Sequence, residues 1–128
     1  MGKAEIAAMI PPAIREQIAA DPWMKRCIHA GRPSGAKCRG RITWEHALIF
    51  RGRQVNEPWA IVPCCEYHHL GPGIEKDLNR HVALQRATDA DLAKYPRAGW
   101  TTMKGYLSGR FGGSYPQPAG RPGGEKML

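Results

Sequence analysis

A chain of 128 residues, 42% of them hydrophobic, can build one modest core, and no apolar run reaches the ~20 residues that a membrane-spanning helix needs. It carries 19 Lys and Arg against 11 Asp and Glu, a net charge of +8, which points to a polyanionic partner. Four cysteines are present, two of them the adjacent Cys64 and Cys65. The N-terminus lacks the basic, apolar, small-residue order of a secretory signal. The cysteines are therefore expected to be thiols or metal ligands in a cytoplasmic protein, not disulfides.

Residues 1–22 are expected to form an N-terminal helical segment. Pro11-Pro12 opens a helix, Ile14 and Ile18 share one of its faces, and Asp21-Pro22 ends it. Residues 23–39, with Gly31, Pro33, Ser34 and Gly35, have the composition of a loop. Arg41 to Trp44 reads as a strand, residues 47–58 as an irregular connection, and Trp59 to Val62 as a second strand broken by Pro63. A helix start fits Cys64 to Leu70, and Gly71-Pro72-Gly73 interrupts it. Ile74, Leu78 and Val82 recur at helical spacing and predict a core-facing helix over about 74–87. Thr88 with Asp91 resembles a capping box and starts a short helix that ends near Tyr95-Pro96, while Trp100, Met103 and Leu107 mark one more. After Phe111 the chain is rich in Gly and Pro, so 112–128 is expected to be a disordered basic tail following a 23–111 domain of α+β class.

The positive charge is concentrated. Lys25, Arg26, Arg32, Lys37, Arg39, Arg41, Arg51 and Arg53 face a single acid, Glu45, between residues 25 and 53, whereas 75–94 is balanced. A basic block of that kind is the footprint of a nucleic-acid surface. Lys37, Arg39, Arg41, Arg51 and Arg53 are the candidate contacts.

The same region holds the candidate chemistry. Cys65 and His68 are three residues apart and share a helical face, whereas His69 is rotated by about 100° from His68. One ion cannot easily take both imidazoles, and the simplest solution is two sites. Cys65 and His68 would join Cys27 and Cys38 in a tetrahedral Zn2+ site, with Cys64 competing for the place of Cys65 and His29 for that of Cys38. Glu45 and His69 would hold a hard cation with open positions, leaving His46 as a free imidazole able to take a proton from water. Strand alternation argues against Glu45 and His46 sharing a site, but the pair falls at a strand end where alternation can relax.

Trp44-Glu45-His46, followed by the run Trp59, Ile61, Pro63, Cys65, His68 and His69, resembles the HNH endonucleases, the ββα-metal nucleases, and among them small phage-type members. The resemblance covers roughly residues 27–70. It implies strand, loop, strand and helix clamped around one divalent ion, Mg2+ or Mn2+ or Zn2+, with a structural zinc behind. It further implies His46 as general base, Glu45 and His69 as ligands of the catalytic ion, and DNA, duplex or branched, as substrate, in host cytoplasm if the chain is phage-encoded. Many members carry a bracing asparagine at the position of Ala60; here Asn56, four residues upstream, is the candidate replacement.

Two rival readings keep the charge but drop the chemistry. A non-catalytic, zinc-stabilised DNA-binding module would treat Glu45, His46 and His69 as structural, and a protein-interaction domain would use the charge for an acidic partner. In a third arrangement the two sites share one metal.

Overall fold

The computed structural model describes residues 10–32, 38–70 and 75–120. The expectations made for residues 1–9, for Lys37, for Gly71 to Ile74 and for the last eight residues lie outside them. The described chain is mixed α+β: a two-stranded antiparallel sheet, a second small two-stranded hairpin, and several helices. Among the described residues no helix is long and apolar enough to cross a membrane.

Helix α1, Pro12–Ala20, begins as the proline predicts and ends at Asp21, whose carboxylate accepts from Trp23 N–H and starts a 3-10 turn over Pro22–Lys25. Ile10, Ile18 and Met24 bury themselves against Ile61. The segment that follows is more than a loop. Cys27 and His29 are each only 4% exposed, because Ile28 N–H donates to Pro63 O and ties the segment to a strand edge.

Strand β1, Ile42–His46, is joined later in the chain by strand β4, Ile61–Cys65, in the register Ile42 to Cys65 through His46 to Ile61. Both strands differ from expectation. β1 runs two residues further and contains Glu45 and His46; Trp59 and Ala60 lie in a 3-10 turn ahead of β4, and Pro63 sits within β4. Pro63 is tolerated because its carbonyl turns outward to Ile28, so its missing N–H lies on the side away from β1. All of β4 is buried. Inside the expected irregular connection a hairpin forms, with β2 Ile49–Phe50 and β3 Arg53–Gln54 joined by Arg51 and Gly52, both at positive φ (53° and 79°). That pair of left-handed residues is the tight turn that matches strand twist.

Helix α2, Glu66–Leu70, follows β4 without a linker. Helix α3, Lys76–Arg86, presents Leu78, Val82 and Leu84 to the core, as its stripe predicts. Helix α4, Asp89–Ala93, carries the Thr88–Asp91 capping box in both directions. Helix α5, Trp100–Phe111, closes the core, where Trp59, Tyr95 and Trp100 meet edge-on or tilted.

Residues 112–120, expected to belong to an unpacked arm, instead run back over the fold. His81 Nε2–H donates to Gly112 O at 2.7 Å, Arg86 Nε to Pro116 O at 2.8 Å, and Ala119 N–H to Asp21 Oδ2 at 3.2 Å. Arg86 is fully buried. Its Nη2 bonds Asp21 Oδ2 at 2.8 Å, and its guanidinium lies 3.8 Å from the centre of the Trp23 ring. Removing one member of such a pair strands the other charge away from water, so Arg86→Met or Asp21→Ala is expected to lower stability by about 3–5 kcal/mol. The loss would appear as an earlier urea midpoint at unchanged slope; a midpoint within error of wild type would deny the pair this role.

Candidate functional site

Four ligand atoms converge where β4 meets α2. Cys27, Cys38 and Cys65 offer sulfur and His68 offers a ring nitrogen, all within 4.8 Å of one another. Cys27 comes from the segment held to Pro63, Cys38 from the approach to β1, Cys65 from the last residue of β4, and His68 from the first turn of α2. Gly40 (φ 82°) makes the approach of Cys38 possible, since a Cβ there would collide with the Glu66 side chain. Main-chain bonds from Glu66 N–H to Arg41 O and from Tyr67 N–H to Arg39 O hold the segment against α2.

The spacing within the cluster tests the fit. Tetrahedral zinc with ordinary Zn–S and Zn–N bonds sets S···N edges of about 3.6 Å. The distances from His68 Nδ1 are 3.6 Å to Cys27 Sγ, 3.7 Å to Cys38 Sγ and 3.1 Å to Cys65 Sγ. Backbone N–H groups of His29 and His68 point at Cys27 Sγ and Cys65 Sγ, each at 3.4 Å, and support thiolate charge. The four residues are placed to hold a metal ion, and their sulfur and nitrogen donors are compatible with structural zinc.

The competing ligands are accounted for by geometry. Cys64, next to Cys65 on the strand, turns its thiol toward Asn79 Oδ1 at 3.9 Å. His29 stacks on the His68 ring, with centroids 4.5 Å apart, and its Nε2–H donates to Asn79 Oδ1 at 3.0 Å. Burial lowers the pKa of His29, favouring the neutral ring. The thiols are strongly unlike. Cys27 is brought down to about 4, chiefly by the Cys64 thiol, whereas Cys64 is pushed up by Cys27 and then by burial. Burial first, then Cys27, raises Cys38 to about 12.

His69 leaves α2 in another direction, as the helical rotation requires. Its Nε2 lies 2.9 Å from Glu45 Oε1, and its Nδ1 lies 2.6 Å from Thr43 Oγ1. Thr43 spends its own proton on Cys64 O at 2.8 Å, so the hydroxyl oxygen accepts from His69 Nδ1–H and fixes Nε2 as the nitrogen facing Glu45. Thr43 and Glu45 are two apart on β1 and so share a strand face. Sequence reasoning missed Thr43, although that spacing could have found it.

His46, the last residue of β1, bonds through Nε2 to Asn56 Oδ1 at 2.7 Å. Because the amide oxygen only accepts, Nε2 carries the proton and Nδ1 keeps its lone pair. Glu45 and His46 line one cleft of about 190 Å³ despite strand alternation. Across the cleft stand Lys76, Asn79 and Arg80 of α3, which the charge-balanced sequence of that helix gave no reason to select. Among the described residues, Glu45 and His69 form a pair and belong to no larger group of ligands; the cluster that does form excludes them. Arg39, Arg41, Arg51 and Arg53 are exposed, with Arg41 near Glu66 at 3.7 Å and Arg51 over the Phe50 ring.

No family model, curated protein or solved structure matches the chain.

Proposed function

We propose that this protein is a metal-dependent endonuclease of the HNH type that hydrolyses phosphodiester bonds in DNA, duplex or branched. The observation that supports the reading is the joint presence, at one strand end, of a carboxylate–imidazole pair, Glu45 with His69, and of a second imidazole, His46, held by Asn56. The antiparallel β1–β4 pair running directly into α2 has the order that the motif resemblance implies.

Glu45 Oε1 and His69 Nε2 fit a divalent ion such as Mg2+ or Mn2+, since a carboxylate and a borderline nitrogen at this spacing leave open positions for water and phosphate. That ion supplies charge neutralisation at the phosphate and at the leaving oxygen. The protein's own groups do the rest. His46 Nδ1 takes the proton of a water, whose oxygen attacks phosphorus in line. The P–O3′ bond breaks, the 3′ oxygen leaves and gains a proton, and by the resemblance the phosphate stays on the 5′ end. Thr43 keeps the His69 ring turned toward Glu45. The exposed Arg39, Arg41, Arg51 and Arg53 position the backbone without reading sequence.

The rival, a zinc-stabilised DNA-binding module, draws on the fact that Thr43, His69 and Glu45 already lie against one another, at 2.6 and 2.9 Å. The experiment that separates the two is nicking of supercoiled plasmid with Mg2+ or Mn2+. Cleavage supports the nuclease, and binding without cleavage in any divalent metal supports the module. Asn56 is a positioning residue in this scheme. Asn56→Ala is expected to slow nicking by about 10–100-fold at an unchanged melting temperature. Asn56→Asp, which keeps an acceptor for His46 Nε2–H, should recover much of the rate; equal loss in both variants would remove the orienting role.

A further inference from the structure

Helix α3 has two faces of different character. Leu78, Val82 and Leu84 are fully buried, whereas Lys76, Asn79 and Arg80 line the cleft that holds Glu45 and His46. Residues four apart on a helix are surface neighbours, so the Lys76 and Arg80 side chains form one basic patch. A polar helix face is ordinarily just solvated, but three observations separate this one. It lies across the cleft from the candidate dyad, with Trp100 beside it. Asn79 is only 2% exposed, and its Nδ2 has no partner among the described residues although its Oδ1 accepts from His29. Arg80 is steadied without being used up: its Nη1 bonds Asp77 Oδ1 at 2.9 Å, and Arg110 Nη1 holds the other oxygen at 2.7 Å.

Asp77 is itself kept below the usual carboxylate range by Arg110 and, less strongly, by Arg80, so it remains a fixed anchor. Only one nitrogen of Arg80 is engaged by it, and among the described residues Nε and Nη2 remain for a second anion. Lys76, one turn away, is an exposed ammonium.

We infer that this face of α3 is a phosphate subsite, in which Lys76 and Arg80 grip a phosphodiester next to the one positioned at Glu45 and His46. The placement beside the scissile phosphate rests on the nuclease reading; the anion chemistry does not. The ligand is a backbone phosphate of a nucleic-acid strand, since a cleft closed on one side by the Glu45 carboxylate disfavours a free multivalent anion and accepts the single charge of a diester.

The test is binding of a short fluorescent duplex to the full-length protein across a series of salt concentrations, without added divalent ion or chelator so that the structural metal stays in place. Each lost phosphate contact lowers the slope of log K against log salt by about 0.9. Lys76→Ala and Arg80→Ala are each expected to lower it by about one, their combination by about two, and Arg80→Lys by much less than Arg80→Ala. Arg110→Ala, which shares Asp77 but does not line the cleft, is expected to keep the wild-type slope. Unchanged slopes in the α3 variants, or an equal drop for Arg110→Ala, would overturn the subsite. So would displacement of the duplex by inorganic phosphate at matched ionic strength from the wild type alone, which would mark a free-phosphate site. The two readings fail separately: a wild type that binds with this slope but cuts nothing loses the nuclease and keeps the subsite. One that cuts while its slope ignores Lys76 and Arg80 loses the subsite and keeps the nuclease.

Discussion

Cys65→Ser is expected to release the bound metal and abolish cooperative folding. The four candidate ligands come from four separate places, Cys27, Cys38, Cys65 and His68, and an ion among them would tie the segment after α1, the entry to β1, the end of β4 and the start of α2 into one unit. A structural zinc contributes on the order of 10–16 kcal/mol of apparent binding free energy at neutral pH, while a whole domain is stable by about 5–15 kcal/mol. An ion held there would therefore outweigh any single core contact. Its loss would also leave the buried Cys27 sulfur without the cation that its position suits. The expected results are one zinc per chain by elemental analysis of the purified wild type and loss of that zinc in the serine variants of Cys27, Cys38 and Cys65. The thermal transition should collapse with it. Cys64→Ala is the control. It removes a buried thiol of the same strand that lies outside the cluster, so it should keep the metal and cost only part of the stability. Metal retention in all three serine variants, with unshifted melting, would end the zinc assignment.

All four ligands stood among the sequence candidates, and helical rotation, which local spacing reports, already separated His68 from His69. The choice between Cys64 and Cys65 stayed open in the sequence; β4 running on through Cys65 turns the two adjacent thiols to opposite sides and leaves Cys65 in the cluster. The capping box at Thr88 and the stripe of α3 were legible from local spacing as well. What failed was everything decided by a distant partner. Pro63 breaks a strand only if its main chain faces the ladder, and the outward bond to Ile28, 35 residues earlier, decides that it does not. Residues 112–120 look unable to fold because they carry few apolar side chains, yet they are held mostly through main-chain groups, by Arg86, His81 and Asp21. Lys76 and Arg80 sit in a stretch of balanced charge, and only the packing of α3 across from β1 gives them a cleft. Asn56 lay between these extremes: the loop made it a candidate partner for His46, and the hairpin within that loop settles the register that brings the two to 2.7 Å.

His46→Ala is expected to reduce plasmid nicking by about 10²–10⁴-fold while leaving DNA binding, zinc content and melting temperature close to wild type. His46 is half-buried and its ring bonds an amide of the loop, so truncation removes a proton acceptor more than a support. Glu45 and His69 should behave differently. Each is one half of a pair at 2.9 Å, and losing either half weakens the site for the divalent ion. Glu45→Ala and His69→Ala should therefore show a rate that climbs with added Mn2+, whereas His46→Ala should stay slow at every metal concentration. That contrast separates a base from a ligand without relying on the size of either loss. Thr43→Val adds a further check, since it removes the hydroxyl that turns His69 without touching the donors themselves. It should shift the metal dependence in the same sense as His69→Ala, though by less. Nicking that survives His46→Ala at the wild-type rate would take the proton-transfer step away from this histidine, and the adjacent Glu45–His69 pair would then be a structural bridge between β1 and α2.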